Sequence, residues 1–174
     1  MNKNDKIEML QDALVKEMKV SRLTVQTASE FLGYGHKSSV SRALAKPNMS
    51  ALDAIKIMAL CSTESIDIPG GLHIVLKIRT SNDVLKMKVC DELFAAFRNE
   101  VFVTGHYRKY LQGGCTWADV ADESDDYNDE ESIRKSWIHL ATPVSLVMTV
   151  LKVTKLEEIT VQTKAGDSLT IGIK

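Results

Sequence analysis

The sequence predicts an α+β fold, with a helical N-terminal part followed by a small α+β part that closes on a β-hairpin. Three observations carry this. Apolar residues at spacings of three and four, Ile7, Leu10, Leu14 and Met18, open the chain as a helical stripe. A polar stretch ending in Pro69-Gly70-Gly71 precedes Leu72–Arg79, whose β-branched content reads as a strand. Near the far end, Ile159, Val161 and Thr163 alternate on one arm and Leu169, Ile171 and Ile173 on the other, around the turn Ala165-Gly166-Asp167-Ser168. The expected division is a helical domain over residues 1–61, a linker over 62–71 and an α+β domain over 72–174.

Each element has a local reason. Asn4 or Asp5 can cap the first helix, which runs to about Met18. A second helix is expected over Val25–Leu32, with Thr24 as N-cap and Gly33 as its stop. A third runs from about Ser38 to Ala45 and ends before Pro47. Ser50 and Asp53 have capping-box spacing and start a fourth that continues to about Cys61. Ser81 or Asn82 caps an amphipathic helix through about Arg98, and Val101-Phe102-Val103 reads as a short strand. Residues 113–131 read as a loop or frayed helix. From Asp119 to Glu131 eight of thirteen residues are acidic, a density expected to repel rather than pack without a partner. Thr142-Pro143 reads as an N-cap followed by proline at the first helical position.

Composition narrows the function classes. The hydrophobic share is 44%, enough for a core, and aromatics are only 6%, so that core is aliphatic. The longest apolar candidate, Ala141–Val153, is interrupted by Thr142, Ser145, Thr149 and Lys152 and falls short of the roughly 18 residues of a membrane span. The N-terminus lacks an apolar signal core, and Cys61, Cys90 and Cys115 are odd in number and widely spaced. A reducing, cytoplasmic location is expected. Residues 1–61 carry nine Lys/Arg against six Asp/Glu, and the remainder thirteen against seventeen. A basic front joined to an acidic remainder fits a nucleic-acid reader with an appended partner domain.

The informative stretch is Leu23 to Lys46. Two short helices crossing steeply need a small residue at the crossing, and Ala28 supplies it; Gly33 turns the chain out of the first, and Val40 with Leu44 pins the second. Lys37, Ser38, Ser39, Ser41 and Arg42 then face outward, short polar and basic side chains suited to the major groove. Thr24-Val-Gln-Thr-Ala-Ser-Glu-Phe-Leu-Gly-Tyr34 followed by Ser38-Ser-Val-Ser-Arg-Ala-Leu44 resembles the helix-turn-helix of small phage and plasmid regulators of the excisionase and MerR-like kind. The turn is one residue longer than usual, with Gly35-His36 filling the space, and Ser29 sits near a position where a second alanine is common. The resemblance implies that the second helix enters the major groove, and assigns DNA contacts to Lys37, Ser38, Ser39, Ser41 and Arg42. His36 reads as a turn or phosphate-contact residue.

Other chemistry has little support in the sequence. There is no phosphate-cradling Gly-x-x-x-x-Gly-Lys loop and no Gly-x-Ser-x-Gly elbow. His73, His106 and His139 lie in separate elements without ligand spacing, and the run Asp122–Asp129 lacks the glycine and glutamate of a calcium loop. Cys90 lies within an amphipathic stretch and reads as core. No catalytic residue, cofactor or metal is expected. The expected function is sequence-specific binding of double-stranded DNA to regulate transcription. A homodimer is expected, because one short helix reaches only three or four base pairs. The alternative is a non-enzymatic inhibitor acting on a host protein through the acidic segment Asp119–Glu131.

Overall fold

The structure, a computed structural model, describes residues 2–111, 117–124, 129–138 and 142–173, without the side chains of Lys37, residues 102–111, Ala118 and Ile138. Four helices come first: α1 (Lys3–Ser21), α2 (Val25–Leu32), α3 (Lys37–Ala43) and α4 (Ala51–Leu60). The strands β1 (Ser65–Asp67) and β2 (Leu72–Lys77) follow, then α5 (Asp83–Leu111), α6 (Trp117–Glu123), α7 (Glu130–Ile138) and α8 (Val144–Thr154). The strands β3 (Glu158–Gln162) and β4 (Ser168–Ile173) complete the described fold.

Local signals set most helix ends. The start of α1 falls earlier than expected. Asn2, not Asn4 or Asp5, caps it, because Asn2 and Asp5 satisfy each other's backbone N–H groups reciprocally, at 2.9 and 3.0 Å. Thr24 caps α2 by accepting from the Thr27 N–H at 3.1 Å, and Gly33 ends it at φ +78, a conformation glycine adopts without a Cβ penalty. Asn82 caps α5 through the Leu85 N–H. The short strand expected at residues 101–103 is instead part of α5. Leu93, Phe94, Phe97 and Val101 are buried at helical spacing, and that continuous stripe overrides the local β preference of two valines. Thr142 does not cap α8. Its hydroxyl donates to the Ser136 and Trp137 carbonyls, and Pro143 occupies the cap position instead of the first turn.

The four strands form one antiparallel sheet in the order β1-β2-β4-β3. Period-two alternation puts Ile66, Leu72, Ile74, Leu76, Leu169, Ile171, Ile159 and Val161 on the inner face, where α4, α5 and α8 cover them. Asp67, Lys77, Glu158, Thr160 and Gln162 lie on the outer face, with Thr160 and Thr170 hydrogen bonded across strands at 2.8 Å. Residues 65–67, expected within a linker, form β1 of this sheet. Composition marks the segment as polar, yet Ser65-Ile66-Asp67-Ile68 alternates, and both isoleucines are buried.

Two long-range fastenings complete the architecture. Residues 49–51 run antiparallel to 142–144, through Ala51 N–H to the Thr142 carbonyl at 2.9 Å and Val144 N–H to the Met49 carbonyl at 2.7 Å. The buried Asp167 holds the β3–β4 turn to the exit of β2, accepting from the Arg79 N–H and the Thr163 hydroxyl, each at 2.8 Å.

One core runs from α1 through α4 and α5 to β4. Ile55, fully buried in α4, is therefore expected to matter to both ends of the chain. Ile55→Ala should cost about 2–5 kcal/mol in denaturant titration. Unfolding followed by far-UV circular dichroism and by tryptophan fluorescence should give coincident curves. Two separate transitions would mean that the helical and sheet-containing parts fold independently. For the Asp167 fastening, Asp167→Ala is expected to lower stability by about 1–3 kcal/mol, because the Arg79 N–H loses its acceptor.

Candidate nucleic-acid interface

The α2–turn–α3 unit is assembled from small and apolar contacts. Ala28 is fully buried where α2 meets its neighbours, and Val40 is the buried anchor of α3, with Leu44 half-buried at its end. The turn is closed by polar groups that sequence reading did not assign. The Ser29 hydroxyl donates to the Tyr34 carbonyl at 3.0 Å, and the Tyr34 N–H returns to the Ser29 carbonyl. A serine near the usual place of a second alanine thus ties down the start of the turn at Tyr34. Tyr34 then donates its phenol to the Asp53 carboxylate of α4. Asp53 keeps half of its expected capping box: its N–H bonds the Ser50 hydroxyl at 3.4 Å, while its side chain turns to Tyr34. The remaining brace is Gln11, buried on α1, whose amide donates to the Lys46 carbonyl just past α3.

The residues expected to contact DNA lie together on α3. His36 caps the helix, its Nδ1 accepting from the Ser38 N–H, so its role in the turn is structural. Ser41 and Arg42 are exposed and Ser38 and Ser39 half-buried, with Arg42 reaching the Ser38 hydroxyl at 3.3 Å. Lys37 opens α3, and its side chain lies outside the described residues. Beside α3 is a hollow of about 380 Å³ lined by Tyr34, Ser39, Arg42, Lys46, Asn48, Ser50 and Pro143, among others. Lys46, Asn48 and Ser50 were not legible as site residues, because the wall completed by Pro143 comes from a distant part of the chain.

The other candidates separate in space. Burial pushes the Cys90 thiol up to about 12, which leaves almost no thiolate near neutral pH and fits a core residue. Burial also raises the Cys61 thiol. His73 faces Asp67 at 3.6 Å on the outer sheet surface. Cys115, His139 and the side chain of His106 lie outside the described residues. Among the described residues, no cluster of His, Cys, Asp and Glu is placed to hold a metal, and no helix is long and apolar enough to cross a membrane.

The acidic segment is only partly described, Asp125, Asp126, Tyr127 and Asn128 lying outside. Its described parts do pack. Val120 is buried within it, and Ile133 and Trp137 are buried further along α7, while Asp122, Glu123, Glu130 and Glu131 point outward, so helical spacing separates charge from core. Asp129 caps α7, and hydrogen bonds from the Ser132 backbone and hydroxyl lower its pKa. The chain has no significant match to a known protein family, to a characterised protein or to a solved structure.

Tyr34 offers a pH test of the brace. Burial, with the hydrogen bond and charge of Asp53, raises its pKa well above that of an ordinary phenol. The folded state therefore resists ionisation, and the stabilisation is complete below about pH 10 and lost as pH rises above it. Stability should fall steeply in that alkaline range for the natural chain, and less steeply for Tyr34→Phe. Tyr34 should ionise only on unfolding, read as phenolate absorbance that appears with unfolding in the natural chain and is missing from Tyr34→Phe.

Proposed function

We propose that the protein is a sequence-specific DNA-binding transcriptional regulator of the phage or plasmid kind, reading duplex DNA with α3. The observation that carries this is the α2–turn–α3 unit itself. It is pinned from inside by Ala28 and Val40, and it leaves Ser41 and Arg42 exposed on one helix. A guanidinium and short hydroxyls are groups that bond guanine edges and phosphates. The helix has seven residues, about 10 Å of rise, which covers only a few base pairs. A homodimer doubling the site supplies the missing affinity, and β3, at one edge of the sheet, is a surface on which a second copy can pair. In this reading Ser38, Ser39 and Lys37 of α3 join the contacts while His36 caps the helix, and a cytoplasmic location goes with this role.

Selection from random duplexes, followed by titration at two salt concentrations, tests the reading. Arg42→Ala should weaken binding to the selected site by about 1–3 kcal/mol with unchanged thermal stability. Unchanged affinity would remove Arg42 from the interface. A chain with no duplex affinity that instead captures a basic protein, and loses it when Asp122, Glu123, Glu130 and Glu131 become amides, would be the inhibitor.

A further inference from the structure

We infer that the hollow beside α3 grips a phosphodiester of the duplex backbone, with Lys46 as its cation and Arg42 at its rim. The inference rests on the reading of α3 as the helix that enters the groove, and it adds a second, sequence-independent contact to it. The hollow lies between α3, the segment following it and Pro143. Its polar lining residues are Arg42, Lys46, Asn48, Ser39, Ser50 and Tyr34. Neither Lys46 nor Arg42 has a carboxylate partner among the described residues. Ser50 accepts from the Asp53 N–H, so its own proton stays available to an incoming oxygen. The Asp53 carboxylate is already taken up by the Tyr34 phenol. With the Tyr34 proton spent on Asp53, the donors left to the hollow are those of Arg42, Lys46, Asn48, Ser39 and Ser50, which is the chemistry of an oxyanion site.

Size and rigidity point the same way. About 380 Å³ exceeds a bare phosphate group and admits a phosphodiester with an adjoining sugar. The rim is held on both sides, because Gln11 fixes the Lys46 carbonyl and residues 49–51 are paired with 142–144. Only side chains have to order on binding, which keeps the entropic cost low. A phosphate held there fixes the register in which α3 meets the base edges, the usual division of labour between backbone and base contacts.

The test compares the full-length natural chain, Lys46→Gln and Lys164→Gln on one selected duplex over a series of salt concentrations. Lys164 is an exposed lysine of the β3–β4 turn and controls for net charge. For Lys46→Gln the slope of log K against log salt should fall by about one, with base preference unchanged. For Lys164→Gln the slope should stay as in the natural chain. A Lys46→Gln slope equal to the natural one, with duplex binding intact, overturns the hollow and leaves the regulator reading standing. Absence of duplex binding by the natural chain overturns both. Inorganic phosphate that raises the Tm of the natural chain but not of Lys46→Gln, without DNA and at matched ionic strength, would assign the hollow to a free phosphate instead.

Discussion

A helix that is apolar on every side has to be enclosed on every side, and α4 is such a helix. Of its ten residues, Ala51, Leu52, Ala54, Ile55, Ile57, Met58 and Ala59 are all buried. No single neighbour can cover that much of its circumference. The chain covers it with α1, α2, α5 and β2. The polar exceptions are spent at the margins: Ser50 and Asp53 at the first turn, and Lys56 paired with Asp91 of α5 at 3.0 Å. The buried Lys86 amine donates to the Ala59 carbonyl at the far end, where a cation complements the helix dipole. The elements α1, α2, α5 and β2 are arranged around this enclosure.

The same enclosure gives the candidate DNA-facing unit its footing. A two-helix turn of this size buries too little surface to be rigid by itself. It becomes so because Tyr34 reaches Asp53 on α4 and Gln11 reaches the carbonyl that follows α3. Burial raises the Asp53 carboxyl above the ordinary range, against the opposing pull of the Tyr34 hydrogen bond and the Lys56 charge. The brace is therefore a partly buried polar pair whose members each leave the other costly to remove.

How much of this was legible in the sequence depends on the range of the interaction. The bounds of α2, its Thr24 cap and its Gly33 stop were legible because all three are decided within a few residues. The C-terminal hairpin was legible because its alternation is strict. Residues 65–68, 101–103 and Thr142 were misread for one reason: each has a preference set within two or three residues that a partner outside that stretch overrules. Ile66 and Ile68 find the sheet, Val101 finds the stripe of α5, and the Thr142 hydroxyl finds carbonyls of α7. At the candidate site, the residues on α3 followed from helical spacing. Lys46, Asn48 and Ser50 did not, since their shared hollow exists only once residues 142–144 have come back to pair with 49–51.

The strand order carries a consequence for how the molecule comes to be folded. The two central strands, β2 and β4, are far apart along the chain, yet they pair over their whole length from Leu72 with Ile173 to Lys77 with Ser168. A ribosome delivers β2 long before β4. In the interval β2 has only the three residues of β1 beside it, and Leu72, Ile74 and Leu76 have only part of their cover. The capped N-terminal helices can begin to form in that time, but the sheet that anchors α4 cannot close. Assembly is thus gated by late, long-range pairing, which is slow and leaves a strand edge unpaired in the nascent chain. During that window the free edge of β2 is open to pairing with another chain.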